Sequence, residues 1–112
     1  MDKDARLKKE IVQVVTRFES DQMSVRPESV SVDLQAMALL VTLRGTTCPA
    51  ERNYARDRRG HELLGRFYEE VFNATKSTLE MAITEILGRP VQRSRLTVDS
   101  ESGDGVILFS LA

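Results

Sequence analysis

The stretch from about His61 to Leu87 limits the fold more than any other part of the chain. Leu64, Phe67, Tyr68, Val71, Phe72, Leu79, Ala82, Ile83, Ile86 and Leu87 recur at steps of three and four, the spacing of an amphipathic helix with a broad apolar face. Gly88 supplies a left-handed stop and Pro90 cannot continue the helix. At 1.5 Å per residue this helix is roughly 40 Å long, whereas strands of a small sheet run to about 20 Å. A chain of 112 residues holds one domain and one core, so part of the apolar face is expected to need cover from outside the chain. The expectation is a homodimer meeting through Phe72, Leu79, Ile83 and Ile86. The polar centre of the run, Asn73 to Thr78, allows a bend.

The rest of the chain supplies a helix and two hairpins. Between Ala5 and Glu19, Leu7, Ile11, Val14, Val15 and Phe18 share one helical face, with Lys8, Lys9, Gln13 and Arg17 opposite. Pro27 marks a break, and Val30, Val32 and Leu34 then alternate with polar residues as a strand with one wet face. A reversal at Gln35 and Ala36 leads into a second strand over Met37 to Arg44, and Gln92 to Ser100 with Val106 to Leu111 make a second hairpin. Pro49 suits the first position of a short helix, with Cys48 as its N-cap and Glu51 placed to reach back to the cap. The fold expected is α+β, an αββαββ two-layer sandwich: a four-stranded sheet from two hairpins, helices on one face, the whole of 1–112 forming a single domain.

Charge and chemistry exclude more than they assign. With 16 basic against 17 acidic residues, no global field points to nucleic acid. One cysteine and one histidine permit neither a disulfide nor a Cys/His zinc site. Asp99, Glu101 and Asp104 lack the spacing of a calcium loop, so no metal and no cofactor is expected. A thiol at a helix N-terminus has a lowered pKa, but Cys48 has no base beyond His61 to work with, and no catalytic residue is assigned. No apolar run approaches the roughly 20 residues that span a bilayer, and the N-terminus lacks the apolar segment of a secretory signal. The expectation is a cytoplasmic, non-enzymatic protein that reaches a membrane only through a partner. Locally, Arg52, Arg56, Arg58, Arg59 and Arg66 crowd the short helix and the bend before the long one. They make a surface for an acidic protein or anionic ligand. The alternative is a nucleic-acid-binding module on the same surface, although aromatic residues at 5% supply few stacking platforms.

The succession Cys48-Pro49-Ala50-Glu51-Arg52, Gly60-His61-Glu62-Leu63 and Leu87-Gly88-Arg89-Pro90-Val91, with its helix and two hairpins, resembles the MpsC-like family over nearly the whole chain. That family more often carries Thr where Cys48 stands and Arg where His61 stands, so neither residue is a common functional group. The resemblance implies association with a sodium-translocating, membrane-potential-generating system whose other components are membrane proteins linked to inorganic-carbon uptake. It implies an accessory or regulator of a membrane transporter, held at the inner membrane through that partner, and not transport by this chain.

Overall fold

A computed structural model describes residues 2–99 and 101–112. The chain runs α1 (Lys3–Gln22), β1 (Ser29–Leu34), β2 (Ala38–Arg44), α2 (Pro49–Tyr54), α3 (Arg58–Leu87), β3 (Val91–Asp99) and β4 (Asp104–Leu111). This is the expected α+β order, with α2 as a short addition.

Local chemistry sets the helix ends. Asp2 caps α1 by accepting the Ala5 N–H at 2.7 Å, which satisfies one of the donors a helix start leaves free. Asp57 does the same for α3, accepting from Gly60 N at 2.8 Å, so α3 begins at Arg58. The bend expected before the long helix is therefore taken up by the N-cap Asp57 and the first turn of α3. Gly88, at φ 67°, closes α3 in the left-handed conformation that glycine adopts without penalty. The helix is unbroken through its polar centre, where the Thr75 hydroxyl turns back to the Val71 carbonyl at 3.0 Å.

The sheet order is β1-β2-β4-β3, with every neighbouring pair antiparallel. β2 and β3 thus run parallel with β4 between them. On the inner face stand Leu39, Val41 and Leu43 of β2, Ile107, Phe109 and Leu111 of β4, and Leu96 of β3, all buried. Helix α1 lies toward β1 and α3 toward β3. The two helices are antiparallel: Phe18 meets Phe72 edge-on at 5.9 Å, while the earlier Val14 shares a groove with the later Leu79 and Ala82. Each large side chain enclosed here stabilises the fold by roughly 1.5–3 kcal/mol relative to exposure.

This packing corrects the proposed dimer interface. Phe72, Leu79 and Ile83 are fully buried within the single chain, and Ile86 is half-buried against the same core. The sheet alone could not cover a helix of 30 residues, but α1 adds a second covering surface along its flank. The apolar side chains that α3 leaves exposed are Leu63, Phe67 and Met81. Lys76 and Glu80, spaced for an i,i+4 pair, instead bracket Ser94 of β3: Lys76 Nζ donates to the Ser94 carbonyl at 3.1 Å and Ser94 Oγ donates to Glu80 Oε2 at 2.6 Å. Among the described residues no helix is long and apolar enough to cross a membrane.

Candidate functional site

One end of the molecule collects the polar chemistry. There the Thr46–Thr47 loop, α2, the start of α3 and the β3–β4 turn meet. Thr46 donates twice to the Gly103 carbonyl, from its N–H at 2.6 Å and its hydroxyl at 2.7 Å. Gly103 has φ 81°, and a Cβ there would press on the Thr47 hydroxyl, so both conformation and space require glycine. The short helix is capped as its sequence suggests, with Pro49 at its start and the Cys48 N–H donating to Glu51 Oε1 at 2.9 Å. Gly60 lets α3 pass against α2, since a Cβ at that position would overlap the Tyr54 carbonyl oxygen.

The arginines separate into three kinds. Arg52 is half-buried and donates from Nη1 to the Thr47 carbonyl at 2.7 Å, which makes it a brace for the loop and corrects its assignment to the exposed surface. Arg58 pairs with Glu62 at 3.2 Å one turn along α3, and with Arg56 it lines a shallow groove that also holds Asp57, Asp99 and Glu101. The fold has brought acidic groups from the β3–β4 turn to this basic segment, so the groove is mixed in sign. Arg59 and Arg66 lie exposed, two helical turns apart and hence on one side of α3. Among the described residues neither enters an ion pair. Leu63 lies between them and Phe67 beside them, and Phe67 is 56% exposed. His61 lines the mixed groove, and Cys48 is exposed.

A cavity of about 240 Å³ opens beneath this end, between the end of α1, the first half of α3 and the sheet. Met23, Leu43, Val71, Leu96 and Val98 give it apolar walls. Two polar side chains on its lining are buried with no hydrogen bond of good geometry among the described residues: Glu19 Oε1, on a residue only 2% exposed, and the Tyr68 hydroxyl, on one 7% exposed. Natively buried polar groups are nearly always paired, so two orphans facing one cavity are unusual. Burial pushes the Glu19 carboxyl up to about 7, because an apolar surrounding disfavours the charged form. Glu19 also stands in the last turn of α1, which carries no basic residue, and the negative end of the helix dipole acts in the same direction. The Tyr68 phenol is raised as well, first by burial, then by the Glu51 carboxylate, which stands close enough to interact with the hydroxyl as an acceptor and as a charge, and last by Cys48. Sequence reasoning missed this site. Its signal lay in spacing: Glu19 follows Ile11 and Val15 at four-residue steps, placing a carboxylate at the end of the buried stripe of α1.

A family model described as "Na+-translocating membrane potential-generating system (MpsC)" matches residues 3–112. Among curated proteins, the uncharacterized protein YbcI of Bacillus subtilis (strain 168) is 25% identical over 105 residues, spanning 94% of this chain and 85% of that protein. No solved structure matches the chain.

Proposed function

Because this chain belongs to the MpsC family, which matches it from residue 3 to residue 112, we propose that it is a non-enzymatic, cytoplasmic accessory or regulatory subunit of a membrane-potential-generating system. The membrane component supplies the acidic partner. One observation carries this reading: on the open side of α3, Arg59 and Arg66, which enter no ion pair among the described residues, alternate with the exposed Leu63 and Phe67. Such a stripe suits an acidic segment with apolar anchors, in which arginine contributes directed hydrogen bonds and the apolar residues contribute buried area. Arg56 and Arg58 flank it. The reading of the same surface as a nucleic-acid-binding module is less well supported, because Asp57, Asp99 and Glu101 interrupt the basic field.

Self-association belongs to this proposal, on a different surface from the core of α3. The row Asp33, Leu40, Leu108 and Arg95 crosses the outer face of the sheet in register. A twofold axis parallel to the strands would set the leucines of two copies together and each Asp33 against the other copy's Arg95.

The test uses Arg59→Glu with Arg66→Glu in the full chain, captured against solubilised membranes of the native host. The fold should be unaffected, since exposed substitutions usually change stability by less than about 0.5 kcal/mol, while recovery of a membrane partner should fall at least tenfold. A variant that still recovers the partner would overturn the arginine reading. Recovery of nucleic acid with steep loss on added salt would favour the nucleic-acid reading. Sedimentation equilibrium of the same samples separates 12.6 kDa from its double.

A further inference from the structure

We propose that the cavity between the end of α1 and the first half of α3 is a binding site for a small organic cation, an alkylammonium with a short apolar body, held between Glu19 and the rings of Phe67 and Tyr68. This inference shares Phe67 with the arginine stripe but rests on Glu19 and Tyr68, which the stripe does not use.

Size sets the first limit. A dry apolar cavity of about 150 Å³ takes up benzene, so about 240 Å³ accommodates a ligand somewhat larger, with most of its surface enclosed. Apolar walls on the sheet and α3 suit an alkyl chain. Charge sets the second limit. The titratable groups on the lining are Glu19 from α1, Glu51 from α2 and Tyr68 from α3; the strands contribute Leu43, Leu96 and Val98, and no Lys, Arg or His lines the cavity. An anion would meet two carboxyl groups and no cationic side chain. A cation would meet these carboxyls, the negative end of the α1 dipole and two aromatic rings whose centroids lie 6.1 Å apart. A ring face attracts an ammonium most strongly when both are withdrawn from water, a condition that Tyr68, 7% exposed, meets and Phe67, 56% exposed, does not.

The orphaned groups define the polar end of the site. Glu51 Oε1 already accepts from Cys48 and the Thr46 hydroxyl donates to Gly103, whereas among the described residues Glu19 Oε1 has no hydrogen-bond partner and the Tyr68 hydroxyl makes no hydrogen bond of good geometry, having only the Glu51 carboxylate beside it. An ammonium donating to Glu19 and to the Tyr68 oxygen satisfies both. Its binding requires the Glu19 carboxylate, so uptake of the cation releases one proton whenever Glu19 begins protonated.

The experiment titrates the full chain with n-butylammonium chloride, with the near-isosteric neutral 1-butanol, and with sodium chloride at matched ionic strength, following backbone amide resonances at pH 8 and pH 5.5. Butylammonium should give saturable shifts centred on Glu19, Tyr68 and Val98. The affinity should be at least tenfold weaker at pH 5.5 and in Glu19→Gln. The Gln variant keeps the shape of the neutral acid and stays folded. Equal binding of butanol would overturn the cationic class, and saturation by sodium without butylammonium binding would overturn the organic one. The absence of saturable shifts with every probe would show that the cavity is not a site.

Discussion

The two halves of α3 share one helix and one apolar pattern but differ in how their polar groups are served. In the C-terminal half, Leu79 and Ile83 are sealed between α1 and the sheet, and Lys76 and Glu80 are both bonded to Ser94 of the adjoining strand. In the N-terminal half, Leu63 and Phe67 reach solvent, and the Tyr68 hydroxyl is buried beside a cavity with no hydrogen bond of good geometry among the described residues. The cause is the end of α1. It stops at Gln22, and beyond that point the space between α3 and the sheet is only partly filled, so side chains there are enclosed without being paired. Close approach of helix and strand satisfies polar groups; a shortfall of one helix leaves them available to a ligand.

The largest effect should come from breaking the sealed half. Leu79→Asp places a carboxylate where the native residue is 1% exposed, and an unpaired buried charge exceeds what a domain of this size withstands. The expected outcome is loss of the folded chain by circular dichroism. A folded but dissociated monomer would return Leu79 to a subunit interface.

A smaller effect is expected at the open end, and of opposite sign. The Glu19 carboxyl is raised by burial to about 7 from an ordinary 4.5, so the folded state holds its proton more tightly than the unfolded one. Stability from this group is therefore fully present below about pH 4.5, declines as the pH rises toward about 7, and is lost above it. The difference is on the order of 3 kcal/mol. Glu19→Gln should flatten that dependence, with Tm at pH 8 rising by about 10 °C and changing little at pH 4.5. Parallel melting profiles for both proteins between pH 4.5 and 8 would show that Glu19 is solvated and the cavity less enclosed than described.

The smallest effect lies at the cap of α2. Cys48→Thr replaces a weak sulfur acceptor by a hydroxyl at a position that prefers one, and should stabilise the fold by up to about 1 kcal/mol. An unchanged or lowered Tm would show that α2 is held by the Glu51 half of its cap and by Gly60 against Tyr54, leaving the Cys48 side chain without a capping role.

Short-range physics fixed what sequence could fix. The three- and four-residue spacing of the long run, the period-two strands, Gly88 after Leu87 and Pro49 after Cys48 determined the elements, their order and the αββαββ character, because each depends on residues within a turn or a strand length of one another. Motif spacing likewise placed the chain in its family. The tertiary structure decided which faces meet. That α1 covers Phe72, Leu79 and Ile83, that Arg52 braces Thr47 while Arg59 and Arg66 stay open, that Asp99 and Glu101 temper the arginines, and that Glu19 comes to share a cavity with Tyr68 are outcomes of how the elements pack. Apart from Arg52 and Thr47, which stand five positions apart, these contacts join residues more than 40 positions apart in the sequence, and no local pattern encodes them, because burial and the pKa of a carboxyl are set by neighbours in space.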